Sequence, residues 1–185
     1  MPIDRDEVRA GLDGGVYVAP TGTALPTNAT DVLAAEYVHL GYNNEDGVSI
    51  NPSQDREEFT AWQSIVPVRR VLTGSQFQLS FTLIQTSKDT VELTFPGATS
   101  ETTLGATKIT IPANPGPDER IFVFDWSDGD IHNRIVIERG EVTDIGEVQV
   151  HRGDPVAYEL TVDSYPNDDN EIAIWYSDDP ALAAA

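Results

Sequence analysis

Cysteine is absent from the 185 residues. Its absence excludes disulfides, thiolate nucleophiles and most structural zinc sites, and it leaves the redox compartment open. A domain of this length buries about 70% of its unfolded-chain surface and needs no covalent staple. Positive charge is also scarce, with 11 Lys and Arg against 31 Asp and Glu, a formal net charge of −20. Only Lys88 and Lys108 are lysines. Phosphate binding relies on clustered cations that release counterions, so such a field argues against nucleic-acid binding. It is compatible with a surface that DNA passes without sticking, and equally with solubility or adaptation to salt. No apolar run reaches the ~18 residues that span a bilayer. The N-terminal stretch MPIDRDEVRAGLDGG lacks the apolar core of a signal peptide. A soluble, non-secreted chain with no membrane partner is expected. There is no internal repeat and no low-complexity block.

Catalytic groups are equally sparse. His39, His132 and His151 fall in separate segments without metal-ligand spacing. No H-E-x-x-H, G-x-S-x-G or P-loop occurs, and Gly105-Ala106-Thr107-Lys108 departs from a phosphate loop because Lys108 does not follow the glycine. There are three acidic clusters, at Asp125–Asp130, Asn167–Glu171 and Ser177–Asp179; against an EF-hand loop, Gly129 falls on a ligand position in the first and Ile172 replaces the glycine in the second. A non-EF calcium site and ordinary Asp/Asn/Gly turn chemistry both remain open for them. Trp62, Trp126 and Trp175 have two readings, a sugar-stacking platform or packing within apolar runs. The sequon Asn28-Ala29-Thr30 carries no weight without a signal peptide. No enzyme activity, cofactor or metal is expected.

What the chain does have is turns and short alternating strands. The 14 Gly and 12 Pro fall mostly between apolar runs. Phe77, Leu79, Phe81 and Leu83 alternate with Gln76, Gln78, Ser80 and Thr82, the period of a half-buried strand. Tyr158, Leu160 and Val162 repeat the pattern, as do Ile172, Ile174 and Tyr176. Ile121–Trp126 and Ile135–Ile137 are apolar on both faces and need cover on each side, from a second sheet, a helix or a neighbouring subunit. Glu138–Val150 reads as a hairpin turning at Arg139-Gly140, with Gly146 as a bulge. A helix is predicted over about residues 87–95. Hydroxyl caps at Thr86 and Ser87 start it, Val91, Leu93 and Phe95 face the sheet, and Pro96-Gly97 stops it. A second helical reading covers Asp31–Glu36. The expected fold is mainly β, a β-sandwich or barrel over residues 31–176 with one short flanking α-helix. Residues 1–30 read as an extended N-terminal arm and residues 177–185 as a flexible C-terminal tail.

From residue 41 the pattern becomes recognisable. Gly41-Tyr42-Asn43-Asn44-Glu45-Asp46-Gly47-Val48, then Ala61-Trp62-Gln63 and Val68-Arg69, resembles the major tail proteins of siphophages, especially those of actinobacterial hosts. The strand Phe77–Ile84 running into Gln85-Thr86-Ser87-Lys88-Asp89-Thr90 agrees, although Gln85 stands where Glu is commoner. Arg139-Gly140-Glu141-Val142-Thr143, Gly146-Glu147-Val148, Ala157-Tyr158-Glu159-Leu160-Thr161 and Tyr165-Pro166 are similar to the family's ending. Val18-Ala19-Pro20-Thr21-Gly22-Thr23 with Leu25-Pro26 is similar to its opening. The likeness covers most of residues 16–166.

The resemblance implies a virion structural protein that self-assembles as hexameric rings stacked into a non-contractile tail tube. Its partners would be copies of itself, tape measure protein, tail terminator and distal tail proteins. DNA would pass through the lumen without specific binding, and assembly would take place in the host cytoplasm. It further implies a long inter-ring loop carrying Asn43, Asn44, Glu45, Asp46, Asp55 and Glu58. An acidic lumen would draw on Glu138, Glu141, Glu159 or Asp163. The competing reading is a monomeric β-sandwich module that binds glycans. Tail terminators, baseplate hubs and secretion-system tubes are related structural alternatives, and the sequence likeness favours the major tail protein over them.

Overall fold

A computed structural model describes residues 5–183. Among these, ten strands and one α-helix follow in order: β1 (Asp13–Pro20), β2 (Val38–His39), β3 (Asn43–Phe59), β4 (Arg69–Leu83), α1 (Lys88–Thr94), β5 (Thr99–Thr103), β6 (Ala106–Thr110), β7 (Arg120–Asp128), β8 (Ile131–Ile145), β9 (Tyr158–Ser164) and β10 (Ile174–Ser177). The fold is mainly β, as the alternating runs predict. The pairings are antiparallel, and eight strands form one sheet in the order β2-β1-β7-β8-β9-β4-β3, with β10 also on β8. β5 and β6 form a separate hairpin.

This sheet folds over itself at β8. Residues 131–137 of β8 pair with β7 and β10, whereas residues 140–145 pair with β9. The corner is Arg139-Gly140, expected to be a hairpin turn. It is instead a bend inside one long strand, marked by a register shift against β7. Turn chemistry and corner chemistry use the same residue here for the same reason, the lack of a side chain. A Cβ on Gly140 would sit 2.7 Å from Phe122 Cδ2 and 3.0 Å from Val162 Cγ1. Gly140→Ala therefore overpacks the corner, and we expect it to lower unfolding free energy by about 1–3 kcal/mol in a denaturant titration.

Between the two halves of the folded sheet lies the main core. Val16, Val18, Phe122, Phe124, Ile135 and Ile137 come from one half and Leu79, Phe81, Leu83, Tyr158, Leu160 and Val162 from the other. α1 closes one side. Ser87 Oγ accepts from Thr90 N–H at 3.1 Å, the expected N-cap. The residues α1 buries are Thr90, Leu93 and Thr94, whereas Val91 and Phe95 are half-buried. The expected stripe of Val91, Leu93 and Phe95 has strand spacing, and the 3.6-residue turn places neighbours three and four apart on one face instead.

Ile121, Val123 and Val136 are buried on the opposite face, so these strands are covered twice as expected. Their cover is the chain's own loop after β1, through Leu25, Leu33, Ala34 and Tyr37. Arg134 pins that loop. Its guanidinium forms two 2.7 Å bonds to Asp125 and donates to the carbonyls of Asn28 and Asp31 at 3.2 and 2.9 Å. No helix forms over residues 31–36, because Asp31 accepts from Thr27 and Asn28 and so holds the loop in a local side-chain-capped turn.

Both ends differ from the expected arms. Residues 13–20 form β1 and pair along their length with β7, with Val16 fully buried. Their Gly and Pro obscure the period, but the strand is interior. At the other end Asp178 accepts from His132 N–H at 2.6 Å, and Asp179 is buried against Arg9. The first four residues of the expected arm and the last two of the expected tail lie outside the described residues.

Candidate functional site

The largest departure from a closed domain is in β3 and β4. Their pairing runs from Asn43↔Leu83 to Phe59↔Arg69. β4 meets β9 only over Gln78–Leu83, so past Asn51 and Gln78 the two strands continue alone as a ribbon. At ~3.4 Å per residue, the stretch from Asn51 to Phe59 projects roughly 27 Å. A two-stranded ribbon is marginal in water without a surface to pack on. The segment expected to be an irregular inter-ring loop is therefore a strand. Its polar run conceals it, because neither face of the ribbon is buried within the chain and no apolar period is imposed on it.

At the far end of this ribbon the chain turns through residues 60–68, held by Val68 N–H donating to Phe59 O at 2.8 Å. Trp62 and Ile65 are fully exposed at 99% and 104%, and Val66, Val68 and Phe59 are exposed beside them. Single exposed apolar residues are ordinary, but a contiguous set marks an interaction site. The segment from Phe59 to Leu72 contains no Asp or Glu and carries Arg69 and Arg70, in a chain of net charge −20. Arg70 pairs with Glu58 at 2.6 Å.

Asn43, Asn44, Glu45 and Asp46 lie at the near end of β3, some distance from Asp55 and Glu58 on the projecting part. The six expected loop residues thus share one strand without forming one cluster. The first four line a groove of about 680 Å³ with Gly11, Leu12, Tyr42 and Trp126. The side-chain oxygens of Asn43 and Asn44 are buried there without a hydrogen-bond partner, whereas Asn44 Nδ2 donates to Asp46 at 2.7 Å.

A second surface is the outer face of β9, β4 and β3 with the end of β8. Rows of partners cross it: Glu141, Asp163, Gln78 and Asn51 in one, Thr161, Ser80 and Ser49 in the next, and Glu159 with Thr82. Cross-strand bonds tie the rows. Gln78 Nε2 donates to Asp163 at 2.7 Å, Asn51 Nδ2 donates to Gln78 at 3.3 Å, and Ser80 and Thr161 hydroxyls meet at 3.0 Å. No Lys or Arg stands in these rows. Three of the four expected lumen acids, Glu141, Glu159 and Asp163, share this face. Glu138 stands apart at the corner of β8, where it accepts from Asn167 Nδ2 at 3.0 Å.

The remaining candidates disperse. Trp126 stacks on Phe124 at 4.9 Å and meets Trp175 at 5.5 Å with a 50° tilt, while Trp62 belongs to the ribbon tip. The three tryptophans are therefore not gathered into one platform. His39 packs edge-on against Tyr17, His132 bonds Asp178 and His151 faces Asp154. Among the described residues no three His, Cys, Asp or Glu side chains are grouped to hold a metal. In the acidic clusters Asp125 is engaged by Arg134 and Asn167 Oδ1 accepts from Asp169 and Glu171 N–H, a turn pattern.

The clasp between Arg9 and Asp179 joins the two ends of the described chain. Both carboxylate oxygens accept from the guanidinium, at 2.7 and 2.8 Å, and Ala181 N–H adds a third bond. The Arg9 hydrogen bond, followed by that from Ala181, lowers the Asp179 pKa from its ordinary 3.8 to about 2. A depressed carboxylate pKa stabilises the fold above its unfolded value and loses that effect as pH falls through the folded one. Amide exchange at residues 9–12 is expected to quicken as pH falls from about 4 to about 2, beyond the intrinsic pH dependence of exchange. Asp179→Asn should remove that step.

The residues missed by sequence reasoning are Ile65, Val66 and the tip setting of Trp62 and Arg69. The available signal was the acid-free run from residue 59 to residue 72. No curated protein sequence matches the chain. Its whole length, residues 1–185, matches the family of phage tail tube proteins. An exposed ribbon with an apolar tip and a cation-free polar face suit a subunit completed by its neighbours, and the chain belongs to the phage tail tube protein family, a family of structural virion components and not of enzymes.

Proposed function

We propose that the chain is the major tail protein of a long, non-contractile siphovirus tail, assembled as hexameric rings stacked into the tube through which DNA is ejected. The projecting β3–β4 ribbon carries this reading. A surface that is incomplete in one chain is completed by an identical copy, and a heterologous contact of that kind closes into a ring or propagates as a filament. The ribbon, with Asp55 and Glu58 on its projecting part and Asn43, Asn44, Glu45 and Asp46 at its base, is the inter-ring element. The polar face bearing Glu141, Glu159 and Asp163 is the lumen wall. Its lack of cations keeps DNA phosphates from anchoring there. Tape measure protein fills the tube before ejection, and tail terminator and distal tail proteins cap its ends. Assembly takes place in the host cytoplasm. Negative-stain microscopy of the purified protein tests the proposal. Six-fold annuli and hollow rods are expected, and a protein that stays monomeric at every concentration would count decisively against it.

A further inference from the structure

Resting on the assembly reading above, we infer that the tip of the β3–β4 ribbon, residues 59–72, seats in the groove at the base of the same ribbon on another copy of this chain, with Trp62 as the anchor. Reach excludes the chain's own groove. On β3 that groove is lined by residues 43–48 and by Ile50, and β3 then runs on to Phe59 paired with β4, with a register shift between Asp55 and Arg56. At ~3.3 Å per residue, β4 from Leu79, which lies opposite Ile50, to Arg69 at the tip puts the tip roughly 33 Å beyond the groove's nearest residue.

Charge then selects the occupant. The tip carries Arg69 and Arg70 with no acid between residues 59 and 72. Arg69 has no ionic partner among the described residues. The groove is lined by Asp13, Glu45 and Asp46 and by no Lys or Arg. Complementary fields of this kind set register and suppress like-charged alternatives.

Chemistry fits as well. The groove volume of about 680 Å³ lies within the ~300–1,000 Å³ of clefts that enclose a ligand. Tyr42 and Leu12 are exposed along it, at 76% and 72%, and Trp126 lines it. Indole brings a large apolar face and one N–H donor. The groove offers apolar walls and, in Asp13, Glu45 and Asp46, carboxylate acceptors. A Trp62 indole laid against Leu12 and Tyr42 would cover apolar surface that the isolated chain leaves exposed. Because groove and tip occupy opposite ends of one ribbon, each copy that accepts a tip presents its own, and the contact propagates head to tail.

The absence of native cysteine makes the test direct. A double variant, Gln63→Cys at the tip and Asp46→Cys at the groove, is assembled under reducing conditions and then oxidised. A ladder of covalently linked copies is expected on a denaturing gel, with none from Gln63→Cys combined with Thr102→Cys on the β5–β6 hairpin. A second arm needs no disulfide. Arg69→Glu should raise the concentration required for assembly about tenfold, and adding Glu45→Lys to the same chain should restore most of it. Tubes of the double variant that form without the disulfide-linked ladder, and without rescue of Arg69→Glu by Glu45→Lys, overturn this seating while the tail-tube reading stands. Capture of the tip only by a different tail protein overturns it too. A wild-type chain that never forms tubes removes both.

Discussion

Trp62→Ala is expected to abolish tube formation at concentrations where the wild-type protein assembles fully, while the isolated subunit folds as before. The side chain is fully exposed and touches none of the core, and substitutions at such sites usually change folding stability by less than ~0.5 kcal/mol. Thermal unfolding of the monomer should therefore hardly move. In the assembled state the same residue is an aromatic anchor, and truncating one costs ~2 kcal/mol or more per contact. That is a roughly thirtyfold loss of affinity at ~1.4 kcal/mol per decade. Every subunit makes the contact, so the critical concentration measured by sedimentation should rise by at least that factor. Ile65→Ser should act in the same direction with a smaller effect. Tubes of normal yield from Trp62→Ala would show that the exposed tip has no part in assembly.

The second large effect concerns passage of DNA. Replacing Glu159 and Asp163 by lysine turns two negative side chains of each subunit into two positive ones. Glu159 is exposed on the polar face, and Asp163 shares its row with Gln78 and Glu141. Tubes should still form, because neither residue contributes to the main core. If this face lines the lumen, the ring acquires a belt of phosphate-binding cations. DNA ejection should slow by about tenfold or more at low salt and recover as salt rises, the mark of counterion release. Dye or light-scattering measurements of ejection at several salt concentrations read this directly. Kinetics identical to wild type at every salt concentration would place the face outside the lumen. A matched variant at Glu138, which lies at the β8 corner away from these rows, is expected to have a smaller effect.

These expectations separate two kinds of sequence signal. Where a strand has one buried face, residue order alone displays it. Along β4 Phe77 is half-buried and Leu79, Phe81 and Leu83 are buried, and Tyr158, Leu160 and Val162 lie opposite Leu83, Phe81 and Leu79 in register. The helix start at Ser87 was equally legible, because capping is a local bond between neighbours in sequence. The ribbon was not legible as a strand, since neither of its faces is buried within the chain and its hydrophilic residues carry no period. Its tip was hidden for the related reason that Trp62 and Val68, read within one chain, look like core.

Residue order and composition were enough for the absence of thiol chemistry, the acidic field, the mainly β class, the capped helix and the family likeness. These depend on counts, short-range periodicity and ordered motifs, all of which survive without knowledge of which segments meet. Only the folded chain reveals that Gly140 is a corner and not a turn. The same holds for the loop pinned by Arg134 that covers Ile121 and Val123, and for the face shared by Glu141, Glu159 and Asp163. Each is a matter of pairing between segments far apart in the chain. Such pairing is fixed by burial shared among many residues at once, and no local stretch of sequence records it.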